Sequence, residues 1–350
     1  MADLPIRGRG AADNPPNRFD RLHYEPIVEE GDEQTPPATE LYRDRTRSII
    51  TYNDSPDVGF DASINVYRGC EHGCIYCYAR PYHEYLGWSA GLDFESKILV
   101  KDEAPALLRR ELASSRWQPR PLAMSGVTDP YQPIERRLGL TRRCLEVLAE
   151  CRNPVGIVTK NRLVTRDLDL LSELHRHQAC VVYVSLTTLD PQLRSRLEPR
   201  ATHPDGRLAA IRTLAQAGIP VGVLTAPVIP GLNDHELPAL LRAAAKAGAR
   251  FAGYTVLRLP HGVAGLFERW LEQHFPERKE KVLGRLREMH GGGVCSARFG
   301  SRMVGEGDLA VALADLFRLA CRKAGLADQR PALSTASFRR PASPQKLLFD

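Results

Sequence analysis

The chain has 350 residues, 43% hydrophobic and 26% charged, with a formal net charge of +6, enough for one large α/β domain or two ordinary ones with a proper core. It contains no run of about eighteen apolar residues, and the opening MADLPIRGRGAADNPP lacks the apolar stretch of a secretory signal, so a soluble, cytoplasmic protein with no membrane partner is expected. Eight cysteines are too sparse for a disulfide scaffold; Cys70, Cys74 and Cys77 crowd together while Cys144, Cys151, Cys180, Cys295 and Cys321 lie scattered, a distribution that indicates metal.

Residues 1–46 mix Pro, Gly, Asn and acidic residues without periodicity and read as an arm, extended or partly disordered. The first 50 residues hold seven Arg, no Lys and ten Asp or Glu, a net of −3 that leaves +9 on the remainder. A moderately basic body of this kind attracts phosphates, and a nucleic-acid partner is one reading of it.

From Arg47 the pattern changes: SINVYRGC is a short alternating strand running straight into the cysteine cluster. Strands follow at 121–128, 155–160, 180–186, 220–228 and 251–259, separated by helices at 101–116, 141–150, 167–177, 206–217 and 237–247, the rhythm of repeated βα units on a parallel sheet. Thr141 and Thr165 are candidate N-caps, and Gly218 and Gly248 stand where helices end. Six strands fall short of a closed eight-stranded barrel, so residues 47–260 are expected to form an α/β partial (β/α)6 TIM-type barrel. Helices at 266–274, 276–290 and 308–324 make a C-terminal helical appendage over 261–327, and 328–350 is a tail.

The cysteines read C-x3-C-x2-C in RGCEHGCIYCYAR, where Gly69 and Gly73 let the backbone bend around a bulky inorganic object. Three thiolates are one too few for a cubane cluster that only carries electrons, so the spacing implies a [4Fe–4S] cluster with one iron open to an exogenous ligand. The alternative is zinc with His72 as fourth ligand.

C-x3-C-x-aromatic-C after the first strand of a partial barrel resembles the radical S-adenosylmethionine superfamily, and over roughly 63–260 the chain is most similar to its spore photoproduct lyase-like branch. The resemblance implies that Cys70, Cys74 and Cys77 hold the cluster, that S-adenosylmethionine chelates the open iron, and that its reductive cleavage yields a 5′-deoxyadenosyl radical. It also implies an electron donor such as flavodoxin or ferredoxin. In SGVTDPYQP, Ser125, Thr128 and Asp129 match positions for the methionine amino group and ribose; Lys160 in IVTKN and Ser185 in YVSLTT match cofactor contacts at strand ends. Tyr76 matches the residue that holds adenine, and Tyr78 matches a tyrosine that relays a hydrogen atom to or from substrate, although either also suits packing around the cluster.

The chain departs from that branch at Gly126, where the lyase carries the cysteine that returns hydrogen to product, so repair of the spore thymine dimer itself is not expected. Cys295, in GGGVCSARFG, is either a substitute donor or an inert buried thiol. HGGG at 290–293 is read as a flexible link, and the loop 228–234 as a turn beside the cofactor or a plain helix cap. Arginines at 109–120, 136–137 and 142–143, interleaved with Trp117 and Tyr131, suit flipped or single-stranded nucleic acid or a solvated helix face. Three functions therefore stand: a radical enzyme on nucleic acid, one on a small metabolite or protein side chain, and a non-catalytic iron–sulfur electron carrier.

Overall fold

A computed structural model describes residues 6–20, 37–124, 126–327 and 329–341. Among them, ten strands are β1 Glu40–Arg43, β2 Ile50–Tyr52, β3 Ala62–Ile64, β4 Tyr67–Arg68, β5 Lys97–Val100, β6 Leu122–Met124, β7 Val155–Thr159, β8 Cys180–Ser185, β9 Val221–Val228 and β10 Phe251–Val256. The helices are α1 Leu92–Ser96, α2 Ala104–Ala113, α3 Glu135–Leu138, α4 Leu140–Cys151, α5 Leu168–Arg176, α6 Pro191–Leu197, α7 Pro204–Gln216, α8 Leu237–Ala247, α9 Val263–His274, α10 Lys279–Met289 and α11 Asp308–Ala324. None of the described helices is long and apolar enough to cross a membrane.

β3, β6, β7, β8, β9 and β10 pair in parallel in chain order, and β2 closes the β3 edge antiparallel. The parallel run is the expected partial (β/α)6 barrel, with β10 and β2 as unpaired edges. The strand expected in SINVYRGC divides: Ala62–Ile64 joins this sheet, while Tyr67–Arg68 crosses into a small sheet ordered β1-β5-β4. Likewise the strand expected over 121–128 stops at Met124, and by Val127 the backbone amide has left the ladder for the Asn65 side chain, Oδ1 accepting it at 2.8 Å.

The expected N-caps are corrected. Thr141 lies inside α4 and donates to the Pro130 carbonyl, and Thr165 sits in a 3-10 turn donating to the Arg162 carbonyl; Asn161 caps that turn by accepting from the Leu163 amide at 3.0 Å. Gly248 ends α8 in the left-handed region, and Gly218 follows α7 the same way.

The arm is only partly as expected. Residues 1–5 and 21–36 lie outside the described residues, but residues 6–20 pack on the segment that follows the cysteines: the Gly10 and Ala11 amides donate to Glu95, and Asn17 bonds the Glu84 and Trp88 carbonyls. The C-terminal segments, instead, span the gap between the barrel edges. The Val256 amide on β10 donates to the Met303 carbonyl at 2.8 Å, while Arg302 pairs with Asp57 and the Gly300 amide meets Asp57 Oδ1 at 2.7 Å on the β2–β3 loop. A second crossing runs from Ala327, bridged to Phe251, to Arg330, whose guanidinium reaches the Gly59 carbonyl at 3.2 Å. Open sheet edges present unpaired amides and carbonyls, and these two straps use some of them.

Candidate active site

The cysteine loop leaves β4 and is held from every side by polar contacts. Gly69 and Gly73 have φ of +81° and +67°, and a Cβ on Gly73 would lie 2.7 Å from Glu95 Oε2, so glycine is required at both bends. Arg80, fully buried, donates from Nε to the Cys74 carbonyl at 2.9 Å, from Nη1 to the Ala90 and Gly91 carbonyls, and ion-pairs with Glu95. Gln132 accepts the Glu71 amide at 2.8 Å and donates to the Gly69 carbonyl at 3.2 Å. The Ile75 amide donates to the Leu197 carbonyl and the Arg200 amide to the His72 carbonyl.

Cys70 and Cys74 are buried, Cys77 is half-buried, and all three are free thiols. Cys70 and Cys77 share an apolar pocket with Ala79, Phe94 and Val127. Burial, then Cys70, pushes the Cys77 thiol up to about 11; burial, then Glu198, raises Cys74 well above its ordinary range. Burial raises the Cys74 and Cys77 thiols, so they become thiolates only against a positive centre, which is the requirement an iron–sulfur cluster meets. His72 Nδ1 faces Asp129 Oδ2 at 3.3 Å and Nε2 lies 3.4 Å from Asn161, with Cys70 beside the ring. Burial works most strongly against its charge, yet Asp129 and Cys70 together overcome it and raise the imidazole to about 10.

Behind the loop lies a buried charged network. Glu198, fully buried, accepts from the Tyr76 hydroxyl and from Thr187 Oγ1 at 2.6 Å, ion-pairs with Arg207, and has Lys160 Nζ at 3.8 Å. Arg207 Nη1 donates to the Ser185 carbonyl at 3.0 Å and Nε to the Thr202 carbonyl at 2.7 Å. Burial raises the Glu198 acid, but Arg207 and then Lys160 overcome it and hold it at about 2.

The family model described as Radical SAM superfamily matches residues 64–244. The chain belongs to the radical SAM superfamily. Its cofactors are a [4Fe–4S] cluster and S-adenosylmethionine, and the three free cysteines, two of them sharing an apolar pocket, are the residues that fit the cluster. Among relatives, an uncharacterized protein of Mycobacterium tuberculosis is 39% identical over 235 residues, covering 66% of this chain and 67% of its own. Another from Methanocaldococcus jannaschii is 30% identical, covering 63% of this chain and 78% of its own. A protein of Pseudomonas phage M6 described as radical SAM Nalpha-GlyT isomerase is 27% identical over 48% of this chain and 33% of its own. In fold, the chain is similar to spore photoproduct lyase: a variant with bound AdoMet and dinucleoside spore photoproduct has TM-score 0.58 at 20% identity, covering 82% of this chain and 81% of that one.

Within this radical SAM protein the sequence-expected residues take distinct places. Tyr76 and Lys160 come together through Glu198, with Lys160 Nζ 5.9 Å from the Tyr76 ring centre. Ser185 is buried at the end of β8, its carbonyl taken by Arg207. Thr128 is buried and donates to the Tyr67 carbonyl at 3.1 Å. Asp129 is a brace between strand ends: its oxygens accept from Tyr131 N, Thr159 Oγ1 at 2.7 Å and Lys160 N at 2.7 Å, and face His72. Ser125 lies outside the described residues. Tyr78 is half-exposed, and its hydroxyl donates to the Gly126 carbonyl at 3.1 Å. Gly126 has no room for a thiol, since a Cβ there would lie 2.9 Å from Ser63 Oγ and 3.1 Å from Ser63 Cβ.

The aromatic–arginine surface expected around Trp117 and Tyr131 is corrected. Both rings are buried, Trp117 bonded to Asn153 and Tyr131 to Asp167, while Arg109 pairs with Glu150 and Arg142 with Asp167 and Asp169. Cys295 is half-buried with Sγ 3.7 Å from the Ser296 carbonyl. The 228–234 loop is a turn locked by Asn233, which accepts the Ile229 amide at 2.6 Å and donates to the Thr187 and Pro227 carbonyls. Glu198, Arg207, Arg80 and Glu95 escaped the sequence reading because an isolated charge carries no periodic signal that it is buried.

Proposed function

We propose that this protein abstracts hydrogen from the nucleoside part of a nucleic acid or nucleotide, and that Tyr78 is the residue that exchanges hydrogen with the substrate. The observation that carries the reading is the position of Tyr78: immediately after cluster ligand Cys77, half-exposed, with its hydroxyl anchored on the Gly126 carbonyl at 3.1 Å. Its phenol is thereby held beside the cysteine loop on the side where the barrel strands end, the face at which such barrels assemble their sites. The nucleoside substrate class is supported by the spore photoproduct lyase neighbour, which carries a dinucleoside spore photoproduct.

When bound and reduced by an external donor of the flavodoxin or ferredoxin type, the cluster with S-adenosylmethionine supplies a 5′-deoxyadenosyl radical. The chain's own contribution is positional. Cys70, Cys74 and Cys77 hold the iron, Glu198 keeps Tyr76 and Lys160 in place toward the cofactor, and Asp129 ties the β6 and β7 ends together so that Thr128 and Lys160 keep their spacing. Ala79, Phe94 and Val127 exclude water from the sulfurs. With Gly126 in place of a thiol, the reading departs from spore photoproduct lyase at the return of hydrogen to product: Tyr78 gives its phenolic hydrogen atom to the product radical and is restored by an electron from the external donor and a proton from solvent.

The test is anaerobic reconstitution with iron and sulfide, reduction with S-adenosylmethionine present, and chromatography for 5′-deoxyadenosine with and without damaged or modified oligonucleotides. Stimulation by an oligonucleotide, with deuterium from labelled substrate appearing in 5′-deoxyadenosine, is the expected result. Deuterium transfer from a labelled metabolite or peptide, and none from nucleosides, would overturn the substrate class.

A further inference from the structure

At the mouth of the barrel one cation lacks a counter-ion. Arg258 follows β10 by two residues, on a turn fastened by the Leu257 amide to the Val228 carbonyl at 2.9 Å. Its side chain is half-buried; Nη1 points to the Met303 thioether at 3.4 Å, and Nε is buried with no acceptor. No carboxylate among the described residues lies within 4.0 Å of it. Its neighbours on the strap are paired, Arg302 with Asp57 and Ser55, and Arg298 with Glu306 at 3.4 Å.

Thioether sulfur is a weak acceptor, and withdrawing a guanidinium from water without an anion is costly. Buried polar groups are nearly always satisfied, and with no described residue satisfying this one the guanidinium is open to an anionic ligand. The location says where that partner sits. Arg258 is near enough to act electrostatically on the Tyr78 phenol and on His290. Both residues stand past the carboxyl ends of parallel strands of one sheet, Tyr78 bonded to Gly126 just beyond β6 and Arg258 just beyond β10 against the strap. The strap holds it there, because Met303 is pinned through its carbonyl to Val256 and through Arg302 to Asp57.

We infer that Arg258 binds a phosphate group of the substrate and so places the adjoining nucleoside against Tyr78. A guanidinium presents a planar fork of donors that matches two phosphate oxygens, which an ammonium does not. The inference rests on the nucleotide reading above, and the phosphate belongs either to a phosphodiester in a polymer or to a free nucleotide.

The experiment measures equilibrium binding to the anaerobic holoenzyme with S-adenosylmethionine, using a fluorescent ten-residue oligothymidylate, thymidine 5′-monophosphate and thymidine. Arg258→Ala is expected to weaken the two phosphate-bearing probes roughly tenfold or more and to remove the preference over thymidine. The slope of log affinity against log salt for the oligonucleotide should fall by about one, a change that a packing role would not produce. Arg258→Lys, which keeps the charge, should recover part of the affinity, and both variants are compared at equal cluster absorbance. Oligonucleotide binding unchanged in Arg258→Ala would overturn the inference and leave the nucleic-acid reading standing. Arg258-dependent binding of the mononucleotide alone would uphold the inference and overturn the polymer substrate. Binding of no probe by the unmodified protein would overturn both.

Discussion

Glu198→Ala is expected to be among the most damaging single substitutions outside the cysteines. The carboxylate is the only anion facing Arg207 among the described residues, and both side chains are buried. Removing one partner of such a pair strands the other, which costs about 3–5 kcal/mol. The acid's own position gives a similar size: held at about 2 against an ordinary 4.5, it corresponds to roughly 3 kcal/mol of stabilisation. In a chain of this length that lowers the thermal midpoint by roughly 4–7 °C. The sign with pH follows, because a depressed carboxylic acid stabilises above its unfolded value and loses that stabilisation as pH falls from 4.5 toward 2. The assay is thermal and denaturant unfolding of anaerobic protein between pH 3 and 7, for Glu198→Ala, Glu198→Gln and the double variant Glu198→Gln/Arg207→Met. Glu198→Gln should lose the part of the acid-side slope that Glu198 supplies, and the double variant should recover much of the loss because the fully buried Arg207 charge goes with its partner. A midpoint for Glu198→Ala within about 1 °C of the parent, or a double variant no better than the alanine, would refute the reasoning.

Three further outcomes follow from the same geometry. Cys74→Ala should lose most of its iron and the visible absorbance of the cluster, read by metal analysis after anaerobic reconstitution, since three thiolates leave none to spare. Gly126→Ala should cost about 1–2 kcal/mol because its Cβ meets Ser63 Oγ at 2.9 Å, and Ser63→Gly in the same chain should restore stability in denaturant titrations. His83, buried between Trp88 and Phe94, is pushed down to about 4 by burial. The unfolded chain thus takes up its proton first, and stability falls as pH drops from 6.5 toward 4; His83→Phe should flatten that part of the profile.

The cysteine spacing, the bend glycines and the alternation of apolar runs with amphipathic helices were readable because each is a local pattern: thiols within one loop, φ requirements of single residues, periods of 2 and 3.6 along one segment. They determined the cluster loop, the partial barrel and the 308–324 helix, which coincides with α11. Other features depend on residues far apart in sequence, and no window along the chain contains them. Asp129 looked like a free cofactor ligand, and only the approach of Thr159 and Lys160 across the strand ends made it a brace. Trp117 and Tyr131 looked like stacking platforms until packing buried them. Glu198 meets Arg207, Tyr76 and Lys160, and Asp57 meets Arg302 across 245 positions, solely because the sheet curls. Local chain geometry is written in adjacent residues, whereas the desolvation and pairing of a charge depend on which distant side chains the curled sheet brings to it. The sequence alone thus determined the cofactor chemistry and the barrel. The tertiary structure decided which polar residues are braces, which are buried pairs, and that Arg258 stands at the mouth with no carboxylate partner among the described residues.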